Sequence, residues 1–220
     1  MKKLLTLFAL LLLITATVTA KNRKVKVITP YGTMIIRLYD QTPKHRDNFL
    51  KLSRQHFFDS TLFHRVIKQF MIQGGDPDSK HAHPGDTLGN GDVGYTVPAE
   101  FQLDLFHRKG ALGAARDDNP TKASSGCQFY IVQGKTFTDE QLDKLEKTRL
   151  GGRKIPVDQR EIYKNEGGSP HLDQSYTVFG QVIKGMEVID KIAALKTDSH
   201  DRPLQDVPMK IRVVKKWLFF

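Results

Sequence analysis

Cysteine is almost missing from this chain. Cys127 is alone among 220 residues, so no internal disulfide can form, and paired-thiol catalysis and cysteine-based zinc sites lose their groups. Blocks of like charge are missing too. The 34 Lys and Arg and the 24 Asp and Glu interleave, as in DEQLDKLEKTR, which argues against a nucleic-acid or anionic-surface role. No segment repeats at a period of roughly 20 to 50 residues, and no low-complexity tract appears. A nucleophile elbow is absent as well: Ser124-Ser125-Gly126-Cys127 runs directly into the strand-like Gln128 to Val132, without the strand-to-helix turn that a hydrolase serine needs. The G-x-G-x-x-G match at Gly89 to Gly94 lacks a strand before it and a helix after it, with Pro98 close behind, so it reads as a glycine-rich loop. His81 and His83 lack further ligands for a metal, and Asp117-Asp118 reads as a turn.

One long apolar run does occur, at the start. MKKLLTLFALLLLITATVTA carries Lys2 and Lys3, an apolar centre from Leu7 to Ile14, and Val18 and Ala20 spaced as at a signal-peptidase site. The run is shorter than the ~20 residues of a spanning helix, so residues 1–20 are expected to be a removed signal peptide. Its loss takes the formal charge from +10 to +8, because Lys2 and Lys3 leave. Residues 21–220 are then expected to form one exported domain without a membrane span. A bacterial periplasm is the first expectation and secretion the second.

The rest of the chain is punctuated by turn residues. VKVITPYGTMIIRLYD reads as a hairpin about Pro30-Tyr31-Gly32. A helix follows, with Thr42 as N-cap and Pro43 at its first position. Short strands are expected at FHRVI, FMIQ, YTVPAEF, GALGAA, QFYIVQ and SYTVFGQVI, a second helix from about Met186 to Leu195, and a closing strand in VPMKIRVVKKW. Many short strands with few helices predict a barrel or sandwich, closed if the last strand pairs with the first. Residues 138–170 interrupt the pattern with a charged helical excursion. Thr138 and Gln141 there form a capping box. The excursion reads either as a solvent-exposed insertion or as a partner contact.

FHRVIKQFMIQGGD, residues 63–76, is the most informative stretch. Phe70 and Met71 can wall an apolar slot beside the donors of Arg65 and Gln73. Taken by itself, the same pattern also describes a half-buried strand whose arginine snorkels to water.

Four separated stretches, FHRVIKQFMIQGGD, GALGAAR, GCQFYIV and HLDQSYTVFGQVIKGMEVIDKI, resemble in order and spacing the cyclophilin-type peptidyl-prolyl cis-trans isomerases over nearly all of 24–217. The resemblance implies a mainly β fold, a closed eight-stranded antiparallel barrel capped by two α-helices, with the helical insertion added. It implies acceleration of rotation about Xaa-Pro bonds in folding proteins, which the expected signal peptide would make extracytoplasmic ones; no cofactor and no metal are expected. By position, Arg65 corresponds to the catalytic arginine and Phe70, Met71 and Leu172 to walls of the proline pocket. Gln73 and Gln128 correspond to polar lining, Ala115 and Arg116 to the edge where a peptide backbone pairs, and Tyr130 to a residue that is commonly Phe. Lys68-Gln69 replaces a common Pro-Gly, His171 stands where the best-known members carry Trp, and Tyr176 where many carry His. Implied partners are proline-containing peptides and unfolded or folding proteins; from the interleaved charges no nucleic acid is expected, and a monomer is expected. The competing readings are a proline-peptide binding module of the same fold and a basic anion-binding barrel.

Overall fold

The computed structural model describes residues 23–214; the expected signal peptide, residues 1–20, lies outside them. Alternation sets the first hairpin. In β1 (Lys24–Thr29) Val25 and Val27 are buried, and in β2 (Gly32–Leu38) Met34, Ile36 and Leu38 are, as a strand with one core face requires. Thr29 closes the turn by accepting from the Tyr31 amide and donating to the Gly32 carbonyl. Gly32 has φ +133°, and a Cβ there would stand 2.8 Å from Val188.

The eight-stranded sheet is antiparallel throughout. Its further strands are β3 (Arg65–Ile67), β4 (Met71–Gly74), β6 (Ala111–Ala114), β8 (Phe129–Val132), β9 (Val178–Lys184) and β10 (Lys210–Val213), in the order β10-β1-β2-β9-β6-β8-β4-β3. A separate ribbon joins β5 (Thr96–Val97) to β7 (Ser124–Ser125). As expected, the last strand pairs with the first. The sheet does not close, however: it is an open half-barrel, with β10 and β3 at its two ends. The segments preceding those strands meet in an isolated antiparallel bridge at Leu62 and Pro208, flanked by the bonds from Met209 N–H to the Thr61 carbonyl and from Phe63 N–H to the Val207 carbonyl. β3 is only three residues long, and the pairing at Leu62 and Pro208 does not extend into a continuous ladder.

Among the described residues, four α-helices accompany the sheet. The two expected from the main pattern are α1 (Pro43–Arg54) and α4 (Met186–Ala193). The excursion supplies α2 (Asp139–Thr148) and α3 (Val157–Asn165). Thr138 and Gln141 form the capping box of α2. Thr42 precedes α1 as expected but its hydroxyl does not cap; the Glu100 carboxylate instead accepts from the Lys44 and His45 amides, at 3.0 Å each. Inside the sheet, Phe49 of α1 packs edge-on to Phe129 and Phe179, while Val188, Ile189 and Ile192 of α4 are buried.

The same alternation builds a second face. Along β8, Phe129 and Ile131 enter the main core, while Tyr130 and Val132 point to a smaller apolar cluster on the outer face. β4 sends Ile72 inward and Met71 outward, and β6 sends Leu112 and Ala114 inward and Ala111 outward. The outer cluster is where the residues singled out from the sequence meet.

Candidate active site

A cavity of about 170 Å³ lies on this outer face, lined by Arg65, Phe70, Met71, Gln73, Ala115, Arg116, Tyr130, Leu172 and Tyr176. The strands explain the grouping. Arg65 and Gln73 are directly paired across β3 and β4, Gln73 faces Tyr130 across β4 and β8, and Tyr130 faces Gly113 across β8 and β6. Gly113 is required there, because a Cβ would lie 2.3 Å from the Tyr130 ring. The two remaining candidates flank the cavity. Gln128 lines a larger groove of about 650 Å³ beyond Ala115 and Arg116. His171 stands against Phe70, ring centroids 5.3 Å apart, on the opposite side.

Arg65 is held loosely. Its Nη1 donates to Gln73 Oε1 at 3.5 Å, its Nε lies 3.5 Å from Asp201 Oδ2, and its side chain is 43% exposed. A guanidinium has five donor hydrogens, so these two long contacts leave donors for a ligand. Gln73 is fixed from behind: its amide donates to Gln128 Oε1 at 3.1 Å, and Gln128 donates to the Gly89 and Gly91 carbonyls at 2.8 and 2.9 Å. The glycine-rich loop therefore anchors the polar side of the cavity. His64, next to Arg65, is buried with neither ring nitrogen hydrogen-bonded. Burial is the main cause of its pKa falling to about 4, against the pull of Asp76 and with help from Arg65.

Tyr130 forms the floor. Its hydroxyl lies 2.8 Å from His107 Nε2, His107 Nδ1 lies 2.8 Å from Asp173 Oδ1, and Tyr163 of α3 donates to Asp173 Oδ2 at 2.7 Å. With the Nδ1 proton directed at the carboxylate, Nε2 accepts from Tyr130. Burial, with Tyr176 and Asp173 nearby, raises the Tyr130 pKa well above its ordinary value, so the phenol stays protonated. The polar tip of this tyrosine thus points away from the cavity and only its ring faces in. Arg116 sits over the Tyr176 ring at 4.7 Å and donates to the Ser175 carbonyl at 3.1 Å, holding the segment that carries Leu172. His171 has its pKa lowered by burial, then by His107 and Arg149.

Sequence reasoning missed Asp201, His107, Asp173 and Tyr163. Asp173 was within reach, since it follows Leu172 in the HLDQ stretch. Asp201 sits in an irregular loop with φ +63°, where nothing local marks it as a neighbour of Arg65. Among the described residues no three His, Cys, Asp or Glu side chains are grouped to hold a metal ion, and no helix is long and apolar enough to cross a membrane.

Comparison with known proteins places the sequence and the fold in one family. The family model for "cyclophilin type peptidyl-prolyl cis-trans isomerase/CLD" covers residues 24–214. A Staphylococcus epidermidis protein named as a candidate peptidyl-prolyl cis-trans isomerase is 37% identical over 190 residues, 85% of this chain and 90% of that one. A Staphylococcus aureus protein with the same name is 37% identical over 185 residues, 84% of this chain and 87% of its own. Among solved structures, a Cryptosporidium parvum cyclophilin type peptidyl-prolyl cis-trans isomerase superposes with TM-score 0.63 at 25% identity, over 88% of this chain and 98% of that one. A second structure of that protein, in the presence of the dipeptide Ala-Pro, gives TM-score 0.62 at 26% identity, over 88% and 99% of the two chains. On the family match and the identity shared along most of its length, this chain belongs to the cyclophilin-type peptidyl-prolyl cis-trans isomerases.

Proposed function

We propose that the 170 Å³ cavity seats a prolyl ring and that Arg65 lowers the barrier to rotation about the bond before it. Rotation costs about 18 to 20 kcal/mol, because it breaks the conjugation of the nitrogen lone pair with the carbonyl. A ten-thousandfold acceleration needs a reduction of about 5.5 kcal/mol. As the bond twists, the imide nitrogen pyramidalises and its lone pair becomes a better acceptor. A donor aimed at it stabilises the twisted state more than either planar state. Arginine fits this role because its guanidinium is planar, always charged and less costly to strip of water than an ammonium. The ring faces of Phe70 and Tyr130 with Met71 and Leu172 exclude water, which strengthens the field of the arginine. No covalent step is required.

In this reading Gln73 and Gln128 keep Arg65 oriented, and Ala115 and Arg116 supply the edge along which the peptide lies. His171 and Tyr176 complete the rim in place of the more common Trp and His. The observation that carries the reading is a charged donor with spare hydrogens at the mouth of a slot with an apolar floor. Its test is Arg65→Ala in a protease-free isomerisation assay on a short proline peptide. A fall in kcat/KM of about a hundredfold or more is expected, with the fold retained by circular dichroism. Equal rates for the two proteins would sink the role given to Arg65, and peptide binding without acceleration in the wild type would favour a binding module.

We further propose that the clients are exported proteins, on the strength of Lys2, Lys3, the apolar run and the small residues before Ala20. A mature chain that begins at Lys21 after expression in a bacterial host would support this; a chain retaining Met1 in the cytoplasm would refute it.

A further inference from the structure

The excursion creates a second groove, of about 350 Å³, against the turn between β3 and β4. Phe70, Phe137 and Leu145 give it apolar walls, and Lys135 and Arg149, both exposed, give it positive charge; among the described residues no aspartate or glutamate lines it. The ion pairs of the excursion engage Arg160, Lys154 and Lys164, not these two. Lys135 keeps its ammonium 5.5 Å from the Phe137 ring. Arg149 ends α2, and its charge reaches His171, where it adds to the effect of burial on that imidazole.

The groove adjoins the first cavity. Phe70 lines both, His171 of the groove packs on Phe70, and the next residue, Leu172, lines the cavity. A peptide with its proline in the cavity would carry its neighbours on one side over Phe70 and His171 and into the groove.

We propose that this groove is a specificity subsite for an acidic residue, with apolar neighbours, within a few positions of the proline. The inference rests on the first cavity being the proline seat. Two cations over apolar walls, neither engaged in an ion pair among the described residues, favour a carboxylate on an extended peptide: each exposed pair contributes a fraction of a kcal/mol, enough together for about a fivefold preference. The excursion would then select clients while the sheet supplies the chemistry.

The test uses the full chain and labelled proline peptides in pairs that differ only in Glu against Gln, at each of three positions on either side of the proline. Dissociation constants come from fluorescence anisotropy at low salt. Glu peptides with the acid on one side should bind about fivefold tighter than their Gln partners. The preference should vanish near 0.5 M salt, where screening acts within about 4 Å. Lys135→Glu/Arg149→Glu should turn the preference toward Lys peptides, an outcome that a merely weakened fold cannot produce. Equal affinity for Glu and Gln peptides at every position would overturn the proposal, as would a Glu preference that survives the charge reversal. Equal tightening by any short anion, an oligonucleotide included, without need of the proline would replace the peptide with a general anion site. Isomerisation of the Gln peptide, followed separately, tests the proline-seat reading, so the two failures remain distinct.

Discussion

Arg65 and Arg160 put the same side chain to opposite uses. Arg160, on α3, reaches Asp139, Asp143 and Glu146 at 2.9 to 3.0 Å, and its side chain is 15% exposed. Arg65 has two contacts of 3.5 Å and is 43% exposed. The excursion is thus a region in which charge is satisfied internally and holds two helices together. The outer face of the sheet is one in which apolar residues are satisfied and a charge is left to act on something else. An arginine that has spent its donors is structural; one that has kept them can bind. The contrast predicts that damage to the two regions separates activity from stability.

The largest effect should come from the sheet side. Gly113→Ala pushes a methyl group to 2.3 Å from the Tyr130 ring, displacing the cavity floor and its bond to His107. A tenfold or greater loss of kcat/KM is expected, with an overpacking cost of about 1 to 3 kcal/mol. Steady-state kinetics with denaturant titration reads both, and a wild-type rate would show that the floor need not stand where it does.

Glu146→Ala should do the reverse. The Glu146 carboxylate is buried and accepts from the Ile155 amide, Arg160 and Lys154 at 2.7 to 3.0 Å. Its removal leaves a buried N–H and two cations short of a partner, so a stability loss of about 2 kcal/mol is expected, with the peptide rate per folded molecule unchanged. Burial alone would raise the Glu146 pKa, but Lys154 and the Ile155 amide bring it below its ordinary 4.5. A carboxylate with a lowered folded pKa stabilises above its unfolded pKa and loses that contribution as pH falls through the folded value. The difference between wild type and variant should therefore be full at pH 7 and shrink below about 4.5. A difference that grows in acid would contradict the pairing.

The smallest effect concerns the turn that aims Arg65. Gln69 has φ +63°, a left-handed conformation that costs an L residue roughly 1 to 2 kcal/mol, while its amide donates to Gln133 Oε1 at 2.6 Å. Gln69→Gly keeps that bond and removes the strain, for an expected gain of about 0.5 to 1 kcal/mol after the entropy of glycine is counted. Activity should stay within twofold of wild type. A fall in rate would mean that the stiffer Gln69 helps to aim Arg65.

Much of this was legible in the order of residues. The alternation in GCQFYIV and FMIQ places Tyr130 and Met71 on one face and Phe129 and Ile72 on the other, and Thr138 with Gln141 starts α2 where the capping box says. The lone arginine in FHRVI proved to border a cavity. Closure of the sheet was not legible, because it depends on how far two distant segments pair, and here they meet in a single bridge at Leu62 and Pro208. Nor was the cap of α1, where Glu100 outcompetes the adjacent Thr42 hydroxyl. α3 was hidden because VDQREIYKN carries few apolar residues, and only Gln159 and Tyr163 are buried. Asp201 and His107 reach the site through tertiary contacts that leave no local pattern.

Cys127, the single thiol, is 4% exposed, and burial pushes its pKa up to about 11, against the opposing bond from Ser125. The nucleophilic thiolate is therefore scarce while the sheet is intact, and it becomes available when the core opens. The molecule carries its own unfolding clock: at reagent concentrations that outpace reclosing, the rate at which a thiol reagent consumes Cys127 counts the openings of the core around it, with no mutation introduced.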